Sequence, residues 1–259
     1  MLGRRGGRPV WSDEIRFAAG LRPADSEEPA EWLRSGLLPW GQHLGTRVGA
    51  VVPGGFEAYA RVFHPATGEG NRSLAVAWKE VADWSGRTVH PEMQWELIAD
   101  PVKPSPGPQP WNEPPLEGRV PVEIRRRLVD LLRNETRRAD LCWILVWVGW
   151  GFEPDVTLPA APRVHLPGRE YVLFQAPIDA LCEGLILGPV GNELAGPNMW
   201  WPEDRSWCVA TEIDFRWTYV AGSKRCISQI LDDPALEALE TDLEHRGDHK
   251  SDVVNASRF

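Results

Sequence analysis

The 259-residue chain lacks any apolar run approaching the roughly 20 residues that a membrane-crossing helix needs. No membrane role is therefore expected. Its first residues, MLGRRGGRPVW, carry three arginines, but no apolar h-region follows them of the kind a secretory signal contains. A cytosolic protein is expected. Cysteine is sparse: Cys142, Cys182, Cys208 and Cys226 form no CxxC or CxxH pair, so zinc-ligand spacing is absent. Without an export signal, buried free thiols are the expected state. Lysine is confined to Lys79, Lys103, Lys224 and Lys250, an arginine bias that speaks to the base composition of the gene rather than to mechanism. There is no GxxxxGK[ST], no GxGxxG after a strand, no GxSxG and no HExxH, which weakens the common nucleotide and hydrolase chemistries. No cofactor and no metal are expected.

The net charge is -9 and the pI about 5.2, which argues against a nucleic-acid partner because phosphate neutralisation needs a concentrated cationic surface. Arg125, Arg126, Arg127, Arg133, Arg137 and Arg138 do crowd one predicted helix. With no aromatic residues interleaved, they read as a solvated helix face.

Residues 1–46 form an N-terminal segment with one clear helical stretch, Asp25 to Ser35, capped by Asp25 or Ser26 and ended at Gly36. Residues 47–240 read as a single domain. Arg47 to Phe63 suggests two strands around Pro53, Gly54 and Gly55; in the second, Phe56, Ala58, Ala60 and Val62 oppose Tyr59, Arg61 and Phe63. A helix is expected from Ser73 to Ser85 with Gly86 as its stop. Eight prolines between 101 and 121 read as a semi-rigid connector. Beyond it, Ile124, Leu128, Leu131 and Leu132 make the stripe of an amphipathic helix. DLCWILVWVGWG is a central strand covered on both faces. Arg169 to Gln175 is another strand, Ser206 to Phe215 and Arg216 to Val220 are strand-like, and Ser223 caps a helix to Leu231. Residues 241–259 read as an acidic, flexible tail. The fold class is α+β, a mixed and largely antiparallel sheet with packed helices.

The densest functional signal is NMWWPEDRSWCVATEIDFRWTYVAGS, from Asn198 to Ser223. Bracketing prolines place Trp200, Trp201, Asp204 and Arg205 in a loop. With Trp207 they have the aromatic and arginine composition of an interaction hot spot, or else the rings fold down as a lid on the core. If Trp207 to Phe215 is one strand, Trp207, Val209, Thr211, Ile213 and Phe215 form its core face. Glu212 and Asp214 then stand about 7 Å apart on the other. Such a pair can bind a cation or divide acid and base roles, or simply be solvated. Arg61, His64 and Arg169 are candidate assistants to it; a lone strand-end histidine is more often structural. His43, His165, His245 and His249 show no ligand spacing, although HRGDH could take up a metal weakly.

FEAYARVFHPA, WILVWVGWGF, GREYVLFQAP and the Trp-Trp-Pro-x-Asp-Arg-x-Trp segment occur in an order that resembles a group of actinobacterial proteins, over residues 47 to 240. The resemblance implies no activity and no catalytic residue. The leading expectation is a non-enzymatic binding or interaction protein that meets an unknown protein or small-molecule ligand through Trp200, Trp201, Asp204, Arg205 and Trp207. The rival is an enzyme using Glu212 and Asp214 in a cleft.

Overall fold

A computed structural model describes residues 15–41, 46–68, 75–102, 107–150, 161–188 and 191–256. Nine strands make the main sheet: β1 Arg22–Pro23, β2 Ala58–Phe63, β3 Cys142–Trp147, β4 Arg163–Leu166, β5 Arg169–Ala176, β6 Met199–Pro202, β7 Cys208–Ala210, β8 Trp217–Gly222 and β9 Ala238–Thr241. They run β9-β2-β8-β7-β6-β3-β5-β1, with β4 also on β5. Every pairing is antiparallel. The α+β expectation holds, with the sheet dominant.

Both faces of the sheet are covered. On one lie Tyr59, Phe63, Trp201, Cys208, Ala210, Trp217 and Tyr219, packed beneath α1 Glu31–Gly36, α2 Trp78–Ser85 and α3 Trp95–Ile98. On the other lie Ala60, Val62, Ile144, Trp200, Trp207, Val209 and Val220, beneath α4 Val122–Leu132 and α5 Lys224–Leu231. Alternation along a strand thus sends successive side chains into two different cores. The doubly covered β3 is as expected, lying between β6 and β5, and β2 faces as predicted except that Phe56, just ahead of it, packs on the Tyr59 side rather than with Ala60 and Val62.

Helix ends follow local chemistry. Ser223 Oγ accepts from Cys226 N at 3.1 Å, the predicted cap of α5, and α2 stops at Gly86, whose φ of 74° is left-handed. α2 begins only at Trp78, not in the stretch from Ser73, because Ala75–Val76 is a short strand, and it has no side-chain cap of its own. The Glu237 carboxylate supplies one from a distance, accepting from Trp78 N at 2.5 Å and Lys79 N at 2.7 Å. Burial pushes the Glu237 carboxyl up, against these two amide bonds.

Four expectations need correction. Arg47 to Val52 is no strand: residues 48–50 form a 3-10 turn, and β2 pairs instead with β8 and β9. The 25–35 helix starts as a 3-10 turn at Glu28 with no side-chain cap from Asp25 or Ser26. The proline-rich stretch is docked over its described part, with Thr67 bridged to Glu113 and Gly118 N bonded to Phe215 O at 2.8 Å. Finally, the tail is folded as far as Ala256. Asp252 is 2% exposed and accepts from His90 Nε2 at 2.7 Å, Gln94 N at 3.0 Å and Asn255 N at 2.8 Å. Burial alone would raise its carboxyl, but these bonds hold it below the ordinary range. Polarity marked the tail as solvated; it is instead a set of polar groups that satisfy one another.

Candidate functional site

The Trp-Trp-Pro segment is framework. Trp200, Trp201 and Trp207 are all fully buried, because β6 is an inner strand between β7 and β3 rather than a loop. Trp200 and Trp207 meet edge to face at 5.1 Å, and Trp207 Nε1 donates to Leu132 O at 3.0 Å, tying the sheet to α4. Trp201 points to the opposite core and meets Trp32 at 5.9 Å. The expected contact surface of paired tryptophans is therefore absent, since the rings that would form it fill two cores.

Asp204 and Arg205 remain at the surface with local duties. Asp204 accepts from Thr136 Oγ1, Arg137 N and Ser206 Oγ, each at 2.9 Å. Burial would raise its carboxyl, yet these bonds keep it low. Arg205, the non-glycine residue with a φ of 52°, lays its guanidinium over Trp32 at 5.3 Å. That turn geometry re-aims the side chain across the end of the core.

Arg61 and His64 are buried and do not converge on the carboxylates. Arg61 donates to Pro91 O at 2.5 Å and Met93 O at 2.8 Å, with its guanidinium 3.7 Å from the Trp217 ring. Desolvation lowers its pKa to about 10. His64 bonds to Leu116 O at 2.8 Å through Nδ1 and to Thr218 Oγ1 at 2.9 Å through Nε2, and Thr218 Oγ1 lies 2.8 Å from Thr211 Oγ1. Burial lowers the imidazole to about 4, so it is neutral at pH 7.

Arg169, Glu212 and Asp214 do come together. The expected strand through Phe215 ends at Ala210, and Glu212 and Asp214 lie in the following turn. Glu212 Oε2 accepts from Asp214 N at 2.6 Å. Arg169, at the start of β5, donates to Glu212 Oε1 from Nε at 3.0 Å and Nη2 at 2.9 Å, and to Asp214 Oδ2 from Nη2 at 3.1 Å. The two carboxylates are thus bound to one nitrogen. Burial pushes Glu212 up, opposed by the Asp214 amide and Arg169, while Asp214 is open to solvent. The neighbouring Tyr171 hydroxyl is also pushed up, by burial and then by the Glu212 charge.

Arg169, Glu212 and Asp214 line a cleft of about 370 Å³, within the range of small-molecule sites. Trp40, Phe215 and Trp217 contribute aromatic walls, and Arg216, Glu96, Glu117, Asp248 and His249 supply further polar groups. Arg216 bridges Glu96 at 3.4 Å and Glu117 at 2.7 Å. Trp217, with Arg61 stacked behind it, links the buried cation to the cleft wall. Sequence reasoning missed Trp40, Glu96 and Glu117, which come from three separate segments. The HRGDH run did contain Asp248 and His249, noted for a different reason.

Among the described residues no three His, Cys, Asp or Glu side chains gather at metal-ligating spacing. His43, the leader 1–14 and Gly151 lie outside the described residues. Cys142 and Cys226 are buried with thiols pushed up to about 12, which removes them as nucleophiles at neutral pH. The six arginines do not share one helix: α4 ends at Leu132 and carries Arg125, Arg126 and Arg127, while Arg133 sits in a 3-10 turn and Arg137 and Arg138 lie beyond it. Arg127 pairs with Asp233, Arg133 with Asp179 and Arg138 with Asp140, which neutralises part of this charge. Arg125 is a correction, fully buried and 3.1 Å from Glu193. No helix among the described residues is long and apolar enough to cross a membrane. Compared with protein-family models, curated proteins and solved structures, the chain matches none.

Proposed function

We propose that this protein is a non-enzymatic binding protein whose ligand, a small polar molecule bearing a positive charge, seats in the Arg169–Glu212–Asp214 cleft. The carrying observation is the single guanidinium nitrogen that holds both carboxylates. A general base needs a free lone pair aimed at its substrate. Both Glu212 oxygens are already engaged, one by Arg169 and one by the Asp214 amide. What the cleft offers instead is a fixed charge pattern. Five carboxylates face two arginines, and the partly exposed Trp40 adds an aromatic wall beside them.

The enzymatic alternative draws on one observation, the buried Glu212 carboxyl with its raised pKa. A thermal-shift panel of small amines, amino acids and amino sugars, with Asp214→Asn and Trp40→Ala as controls, tests the binding reading. A stabilising ligand that loses its effect in both variants is the expected result. A panel without hits, or hits indifferent to both substitutions, would end it, and turnover of a hit would favour the acid-base alternative.

A further inference from the structure

A separate groove of about 1000 Å³ shares Glu117 with the Arg169 cleft. Its walls are built from the proline-rich stretch, the start of α4 and the turn before β9. Five of the lining residues are prolines: Pro65, Pro114, Pro115, Pro121 and Pro234. They fix the backbone and offer no N–H, and the carbonyls of Pro115, Leu116 and Pro121 are already taken by Arg216, His64 and the Arg125 amide, so the wall offers mainly apolar surface. Leu116, at 49% one of the most exposed large apolar residues of the fold, lies on its surface with Ile124 and Leu236 beneath.

The rim is acidic and in part unneutralised. Glu237 is committed to the amides of α2 and Glu117 to Arg216. Arg127, the cation in the lining, is taken up by Asp233 at 2.8 Å. Glu113 and Glu123 are exposed and have no ion pair among the described residues. An apolar floor and wall with two uncompensated carboxylates on the rim call for an occupant with aliphatic side chains and positive charge. The groove is open along one side and sits at the upper limit of small-molecule pockets, which favours a chain over a compact ligand.

We infer that this groove docks an extended peptide segment of a partner protein in which aliphatic residues alternate with arginine or lysine. The aliphatic side chains meet Leu116, Ile124 and Leu236, while the basic ones face Glu113 and Glu123.

A fluorescein-labelled Leu-Arg-Leu-Arg-Leu-Arg-Leu peptide tests this by fluorescence anisotropy with the full-length protein, beside a Leu-Glu counterpart. The expected result is saturable binding of the basic peptide alone, weakened about tenfold or more in Glu113→Arg/Glu123→Arg and weakened by added salt. Both substituted positions are exposed, and an unchanged melting temperature confirms that the variant is folded. Leu116→Asn is expected to weaken binding at constant rim charge. Asp214→Asn, in the other cleft, is expected to leave it unchanged, so this inference and the proposed small-ligand site fail separately. No saturable binding at millimolar protein, or equal binding to wild type and the charge-reversed variant, would overturn it. So would binding abolished by Asp214→Asn.

Discussion

Arg169 grips Glu212 through two nitrogens, Nε at 3.0 Å and Nη2 at 2.9 Å, around a carboxylate that is itself buried. This pair closes the turn after β7 onto the start of β5 and sets the shape of the cleft.

Removing the cation alone strands a buried negative charge. Arg169→Met is expected to cost about 2–4 kcal/mol at neutral pH. Glu212 already has a raised pKa, and the substitution raises it further. A carboxyl raised on folding favours the fold when protonated and loses that contribution as pH rises through its folded value. The deficit should therefore be largest at and above neutral pH and shrink on acidification. Arg169→Met/Glu212→Gln should recover most of it, as urea titrations at several pH values would show.

His64 supplies the opposite dependence. Its pKa falls from 6.5 to about 4 on burial, so the stability it contributes is fully present above pH 6.5 and is lost as pH falls through 4. The full span corresponds to about 3 kcal/mol. His64→Gln is expected to flatten the stability profile between those limits. An unchanged acid slope in chemical denaturation would show that other groups set it.

The tryptophans of the Trp-Trp-Pro segment should behave as core. Trp201→Ala is expected to lose about 3–5 kcal/mol, whereas Arg205→Ala, which forfeits a surface contact with Trp32, should lose less than about 1 kcal/mol. Thermal melts of the two single variants separate these roles. Near-wild-type stability in Trp201→Ala would return the ring to the surface.

Asp252 anchors the C-terminal segment to the stretch before α3. Asp252→Ala leaves Gln94 N and Asn255 N without their buried acceptor, a loss of about 3 kcal/mol. Limited proteolysis should then cut near residue 250 before the rest of the chain unfolds.

Much of the secondary structure could be read locally. Ser223 at the start of α5, Gly86 after α2 and the apolar run of β3 carry their own signals, and each lies where those signals put it. The site was harder because its residues meet only through the sheet. Glu212 and Asp214 were visible as a pair, but their partner Arg169 is more than 40 residues away, and no local pattern ties Trp40 or Glu96 to them. The buried tryptophans misled for a physical reason. Flanking prolines and charges suggest a loop, yet Pro202 ends β6 opposite Cys142, and Asp204 spends its charge on backbone and hydroxyl donors nearby.

The strand β2 gives the assembly of this fold a particular timing. Both its neighbours, β8 and β9, lie more than 150 residues downstream. During synthesis Ala58–Phe63 leaves the ribosome with two unpaired edges, and it stays so until nearly the whole chain has followed. Contacts this distant in sequence slow folding, and the waiting strand is a ready template for mispairing. A chaperone that shields residues 58–63 would act at the step where this protein is most exposed to aggregation.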